Sequence, residues 1–205
     1  MQVSKPGINL QTVCKPSVVV LIFLSCCLLI YFSNHFTHEK IEGKRQLSAL
    51  RVISEVMPLP FDNNIYEDWL DIPELSTRAY RARTNHESTG LVFMPVNAKG
   101  YNGNISMAIG LAFNGQLTGV RIIEQNETPG LGDQIDSRIT DWSAQFSGRS
   151  LANSAKTAWA VASENGEFDA LSGATTSPRA VINAVKSILD YYELHRNELY
   201  IQKVN

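Results

Sequence analysis

Residues 169–176 read Asp169-Ala170-Leu171-Ser172-Gly173-Ala174-Thr175-Thr176 and directly precede Ser177-Pro178. Ser at an N-cap followed by Pro at the first helical position is typical of a helix start, so the last helix is expected to begin here. A helix start offers free backbone N–H groups and the positive end of a dipole, and both favour a phosphate. Gly173 and Ala174 leave room for a bulky group, and the Thr175 hydroxyl could carry a phosphoester. The residues alone leave two interpretations open: a threonine phosphoester site, or a tight loop whose hydroxyls only cap the helix.

The chain around this stretch indicates an α+β domain with an antiparallel sheet and flanking helices. The last helix is expected from about Pro178 to Tyr200, with a buried stripe at Val181, Val185, Ile188 and Tyr192. Apolar and β-branched runs predict strands over Ala79–Arg83, Gly90–Val96, Ser106–Phe113 and Leu117–Ile123. Asn114-Gly115 predicts a hairpin turn between the last two strands. We also expect a helix over Ile135–Phe146 and a further strand over Thr157–Ala162.

A second motif, Glu127-Thr128-Pro129-Gly130-Leu131-Gly132-Asp133, follows the fourth of these strands. Pro-Gly suits the two central positions of a type II turn. Gly130 and Gly132 allow a close backbone approach to a flat ring, and Glu127 and Thr128 offer polar groups to its edge. A purely structural turn after a strand is the other interpretation.

Composition excludes several kinds of site. The net charge of −2 does not indicate a nucleic-acid partner. The three cysteines, Cys14, Cys26 and Cys27, precede the expected domain, which excludes disulfides, zinc-thiolate sites and Cys-ligated clusters there. The four histidines are scattered, so we expect neither a metal site nor a hydrolytic catalytic set.

Residues 16–34 are expected to form a transmembrane helix after a short N-terminus at 1–15. The run from Val18 to Phe32 is apolar except for Ser25, and 19 residues between Lys15 and His35 would span ~28 Å as a helix. A cleaved signal peptide is the alternative, but no convincing cleavage site follows the run, so an uncleaved anchor is favoured. More basic residues follow the run than precede it, and because basic residues favour the cytoplasmic side, this difference weakly favours a cytoplasmic C-terminal domain.

Residues 35–76 are expected to be a linker that is first helical and then acidic. Leu47, Leu50, Ile53 and Val56 recur at near-helical spacing until Pro58 and Pro60 end the helix. Residues 61–76 are then expected to form an acidic loop whose packing anchors are Ile65, Trp69 and Ile72.

The stretch Asp-x-x-Ser-Gly-Ala-Thr at 169–175 resembles the flavinylation motif of the FMN-binding domain family. The resemblance implies that a flavin transferase moves FMN from FAD onto Thr175 as a phosphoester, and that Asp169 is part of what this enzyme recognises. It places Ser172, Gly173, Ala174 and Thr176 beside the cofactor. It likewise implies that the second motif lines the flavin ring through Glu127, Thr128, Gly130, Leu131 and Gly132.

The two motifs, about 40 residues apart, together resemble the G subunit of the Rnf/Rsx ion-translocating electron-transport complexes. This resemblance implies a single-pass protein of the bacterial inner membrane with a periplasmic FMN-binding domain at 77–205. It further implies an electron relay, without catalytic turnover of its own, among other membrane subunits. The implied complex passes electrons between NADH and a ferredoxin-like carrier and couples this transfer to ion movement across the inner membrane. The C subunit of the sodium-translocating NADH:quinone reductase is a near relative, but it is usually longer and has a Leu between two threonines that are adjacent here as Thr175 and Thr176. A membrane-anchored binding or assembly module without redox function is the alternative from another class.

Overall fold

The computed structural model describes residues 16–154 and 156–201. The predictions on residues 1–15 lie outside the described residues. Helix α1 spans Pro16–Val56, and the chain divides into two compact units between Leu47 and Ser48. In the first unit the large apolar side chains from Val18 to Phe32 are exposed. Within the described residues, no helix combines the length and the apolarity needed to cross a membrane, and the transmembrane helix at 16–34 stays a prediction.

The second unit is built on a five-stranded antiparallel sheet whose strands lie side by side in chain order. The strands are β1 Trp69–Ile72, β2 Thr77–Thr84, β3 Glu87–Lys99, β4 Asn104–Ala112 and β5 Leu117–Glu124. The four predicted strands are confirmed as β2 to β5. The predicted turn at Asn114-Gly115 is also confirmed, since Gly115 has a φ of +84° and donates to the Ala112 carbonyl at 2.9 Å.

Both faces of the sheet are covered. Leu91 and Phe93 on β3 belong to the core on the face covered by helix α2 (Thr176–Tyr200), and Val92 between them belongs to the opposite core. The predicted stripe on α2 is buried, with Val181, Val185, Ile188 and Tyr192 each at most 1% exposed. On the other face, residues that we expected to be linker pack against the sheet through Ile53, Val56, Met57 and Ile65.

The acidic segment 61–76 contains a strand that the sequence did not predict. Strand β1 pairs with β2, with Trp69 opposite Tyr80. Ile65 and Ile72 are buried as expected, but Trp69 is 41% exposed and lies under the Arg78 guanidinium, 4.3 Å from the ring centre. The expectation that Trp69 is a packing anchor is therefore wrong. The helix expected from the spacing of Leu47, Leu50, Ile53 and Val56 is confirmed, with Leu47 exposed and Ile53 and Val56 buried.

The segment between β5 and α2 is irregular, and two predictions about it are wrong. In place of a helix over Ile135–Phe146 the chain forms two 3-10 turns, Gly132–Ile135 and Trp142–Phe146. The Asp136 side chain accepts from the Arg138 amide, and the Thr140 hydroxyl accepts from the Trp142 amide. These side-chain contacts replace helical hydrogen bonds.

The strand expected over Thr157–Ala162 is also replaced. Two short 3-10 turns, Lys156–Ala158 and Ala162–Glu164, flank a single bridge between Val161 and Phe168. A strand needs several successive hydrogen-bonded pairs with a neighbouring strand, and this segment has a single isolated bridge.

Candidate functional site

The two sequence motifs meet at a single cavity of about 390 Å³. Its lining comes from the turn after β5, from the loop before α2 and from the β3–β4 connection. The lining residues are Tyr101, Glu127, Thr128, Leu131, Gly132, Gly173, Ala174, Thr175, Thr176 and Ser177. Eight of the predicted site residues are among them, whereas Asp169, Ser172 and Gly130 are not. Sequence reasoning did not assign Tyr101 or Ser177 to the site.

The turn at Pro129-Gly130 has the predicted type II geometry. The Leu131 amide donates to the Thr128 carbonyl at 3.1 Å, and Gly130 has a φ of +76°. A Cβ at Gly130 would meet no atom within 4 Å, so glycine is favoured there by the backbone conformation and not by a lack of space. At Gly132 a Cβ would lie only 2.6 Å from the Ser177 hydroxyl oxygen, so this glycine permits close packing between the turn and α2.

Glu127 joins three parts of the site. Its carboxylate is 5% exposed and accepts hydrogen bonds from the amides of Tyr101 at 3.2 Å and Asn102 at 3.0 Å. The Ser177 hydroxyl donates to the same carboxylate. The negative charge lies beside the first turn of α2, where the helix dipole favours it. Glu127 therefore holds the β3–β4 connection and the α2 start against the turn. It also lines the cavity, and its contact with the edge of a flavin ring stays a prediction.

Helix α2 begins earlier than predicted. It starts at Thr176 with Thr175 at the N-cap position, so the expectation that Ser177 is the N-cap and Pro178 the first helical residue is wrong. The physical reason is Glu127, which takes the Ser177 hydroxyl. The Thr175 side chain makes no capping hydrogen bond, and the side chains of Thr175 and Thr176 are both exposed. The Thr175 hydroxyl is thus accessible and lies at a helix start whose first amides have no intrahelical acceptor.

Gly173 and Leu131 bring the two motifs into contact. Gly173 has a φ of +74°, and the Ala174 amide donates to the Leu171 carbonyl at 3.1 Å across this turn. A Cβ at Gly173 would lie 3.0 Å from a methyl carbon of Leu131. Leu131 is still 40% exposed, so it presents an apolar wall to the cavity.

Asp169 is held by its backbone and not by its side chain. Its amide donates to the Gln145 side chain at 2.8 Å, and its carbonyl accepts from the Trp142 indole at 2.7 Å. The residue is exposed, and within the described part of the chain its carboxylate has no hydrogen-bond or ion-pair partner. The structure thus presents this carboxylate to solvent, outside the cavity.

An ion pair between the buried Asp136 carboxylate and the exposed Arg138 side chain lies in the irregular segment next to the cavity. The Arg138 guanidinium Nε donates to both carboxylate oxygens of Asp136, at 2.9 and 3.0 Å, and Asp136 is 1% exposed. Burial raises the pKa of Asp136, but the hydrogen bonds and charge of Arg138 outweigh burial, so this pKa lies below its ordinary value. Among the described residues no group of three His, Cys, Asp or Glu side chains is placed to hold a metal ion.

Comparison with known proteins gives one matching domain family and several similar proteins. Residues 100–190 match the FMN-binding domain family. The G subunit of the ion-translocating oxidoreductase complex of Aliivibrio fischeri (strain ATCC 700601 / ES114) is 33% identical over 205 residues, covering 96% of this chain and 98% of that protein. The protein of the same name from Vibrio cholerae serotype O1 (strain M66-2) is 34% identical, covering 85% and 87%. The crystal structure of Shewanella oneidensis NqrC is similar with a TM-score of 0.47 and 22% identity, covering 63% of this chain and 66% of that chain.

Proposed function

This chain belongs to the family of G subunits of ion-translocating oxidoreductase complexes, and on that premise we propose that it is an FMN-carrying electron relay in such a complex. In this role the chain transfers electrons between other subunits of the complex and does not catalyse a reaction on its own. Bound FMN would supply the capacity to accept one or two electrons, and the protein would position and tune it.

The observation that supports this function best is the meeting of two distant motifs at one cavity. The residues present fit a flavin phosphate. The exposed Thr175 hydroxyl lies at the start of α2, and free amides at a helix start bind phosphate oxygens. The turn after β5 and the loop before α2 approach each other so closely that a side chain would not fit at Gly132 or Gly173. Leu131 offers an apolar surface for a flat ring.

We further propose that Thr175 carries FMN through its phosphate, attached by a flavin transferase. The acceptor hydroxyl must be accessible for such a transfer, and the Thr175 side chain is exposed and uncommitted to capping. The exposed carboxylate of Asp169 is available as a recognition feature. Glu127 and Ser177 would hold the helix start that receives the phosphate.

Peptide mass mapping of the purified full chain tests this assignment. We expect an FMN mass on the peptide containing Thr175, and flavin fluorescence that survives denaturing electrophoresis. Thr175→Ala should lose both signals and keep its fold, whereas Thr176→Ala and Ser172→Ala should keep them. Full flavinylation of Thr175→Ala would overturn the site, and a wild-type chain without covalent flavin would favour the assembly module.

We also propose that residues 16–34 anchor the chain in the bacterial inner membrane and that residues 77–205 are periplasmic. The exposed apolar side chains from Val18 to Phe32 support an anchor. The resemblance to the Rnf/Rsx complexes supports the orientation, against the weak bias of flanking charges. A reporter enzyme that works only in the periplasm should be active when fused after Asn205. Activity only with a cytoplasmic reporter would refute the orientation.

A further inference from the structure

Tyr101 differs from the other exposed aromatic residues of the second unit. It is 78% exposed and is one of the residues that line the cavity. Trp69 and Phe113 are also exposed, but an arginine guanidinium covers each ring, Arg78 at 4.3 Å and Arg196 at 4.7 Å. Within the described residues the Tyr101 ring has no such partner. An uncovered aromatic ring at the edge of a cavity is a typical contact for a flat ligand.

The backbone that carries this ring is fixed. The amides of Tyr101 and Asn102 donate to the buried Glu127 carboxylate, and the Asn102 side chain donates to the Asn126 carbonyl at 2.8 Å. The Gly100 amide donates to the Gly103 carbonyl at 2.8 Å and closes the turn. The backbone position of Tyr101 is therefore set by the same carboxylate that holds the start of α2.

Leu131 presents a second apolar surface to the same cavity. It is held against Gly173, and Thr175 lies two residues further along that loop. The cavity thus combines one aromatic and one aliphatic wall with a hydroxyl that could tether a ligand. We propose that Tyr101 stacks on the isoalloxazine ring of the flavin carried by Thr175 and shields that ring from water. This inference rests on the proposed function.

The proposed stacking has a direction of effect on the flavin. The face of a phenol ring carries partial negative charge, and reduction adds electron density to the flavin ring. Stacking and exclusion of water therefore both disfavour the reduced flavin, so Tyr101 should lower the midpoint potential. Tyrosine also quenches flavin fluorescence: the excited flavin takes an electron from the phenol, and the electron then returns to it.

The test compares full-length chains carrying Tyr101→Ala, Tyr101→Phe and, as a control, Phe113→Ala, an exposed aromatic residue that does not line the cavity. Attached flavin is measured by mass, the midpoint potential by redox titration, and the fluorescence lifetime on the same samples. We expect Tyr101→Ala to keep the flavin, raise the potential and lengthen the lifetime severalfold. Tyr101→Phe should keep a near wild-type potential, because a ring still stacks, but lengthen the lifetime, because phenylalanine is hard to oxidise. Phe113→Ala should change neither property.

Wild-type potential and lifetime in a flavin-bearing Tyr101→Ala chain would overturn the inference and leave the proposed function intact. If Tyr101→Ala lost its flavin, the fluorescence lifetime of Tyr101→Phe would decide: a longer lifetime would support stacking, and an unchanged lifetime would overturn it. Absence of flavin from the wild-type chain would instead overturn the proposed function.

Discussion

Replacing Glu127 with alanine should destabilise the whole flavin site. The change removes the acceptor of the buried Ser177 hydroxyl and of two part-buried backbone amides, at 3.2 and 3.0 Å. A buried donor left unpaired costs ~1–3 kcal/mol, whereas the amides of the exposed residues Tyr101 and Asn102 can bind water instead, so we expect a loss of about 2–3 kcal/mol. For a domain of this size that lowers the melting temperature by roughly 4–12 °C.

Thermal melting of the full chain in detergent measures this effect, with Glu124→Ala as the matched control. Glu124 is exposed at the end of β5, three residues earlier, and its loss should leave the melting temperature nearly unchanged. Glu127→Gln keeps an acceptor oxygen for the amides and should cost only about 1–2 kcal/mol. Flavin occupancy should fall in the order wild type, Glu127→Gln, Glu127→Ala. If Glu127→Ala melts with the wild type and carries full flavin, the carboxylate does not hold the site together.

Three further predictions concern the surroundings of the site. The stabilisation from Asp136 is present above its unfolded pKa of ~3.9 and is lost as pH falls through its lower folded pKa. Arg138→Leu removes the partner that lowers this pKa, so acid unfolding, measured by circular dichroism, should occur at a higher pH than in the wild type. Asp169→Ala should leave the melting temperature within about a degree or two of wild type while attached flavin, measured by mass, falls sharply; normal flavin content would return Asp169 to a plain loop residue. Gly130→Val should lower stability by ~1–2 kcal/mol because of the positive φ. Because Gly130 does not line the cavity, the variant should alter the flavin absorption spectrum only by displacing the neighbouring Leu131. Gly130→Asn should be tolerated, because asparagine adopts a positive φ more readily than valine, and equal melting of both variants would contradict the turn argument.

The parts of the fold that followed from sequence are those specified by local signals. Alternating apolar runs and the Asn114-Gly115 turn predicted four strands of the sheet, and the 3.6-residue spacing predicted the buried stripe of α2. Strand β1 was missed because its four residues lie in an acidic segment. Its strand conformation depends on pairing with β2, and the composition of the segment does not indicate that pairing.

The errors near the site have non-local causes. Ser177 has the sequence of an N-cap, but Glu127, 50 residues earlier, takes its hydroxyl. Tyr101 was not assigned because only the folded chain brings the β3–β4 connection to the two motifs. The apolar spacing over Ile135–Phe146 suggested a helix, whereas Asp136 and Thr140 bind backbone amides that a helix would need. Gly130 has the positive φ expected of its turn but does not line the cavity, and Gly132 serves contact within the protein.

The order of the elements along the chain has a consequence for maturation. The strands pair with neighbours in sequence, so the sheet can assemble as the ribosome releases the chain, whereas α2, which bears Thr175 at its start and covers one face, is made last. A nascent or truncated chain lacking α2 has neither the helix start nor the Ser177 contact that fix the acceptor. A transferase that recognises the folded loop would thus modify completed chains alone, and flavin content would report on the integrity of the whole domain.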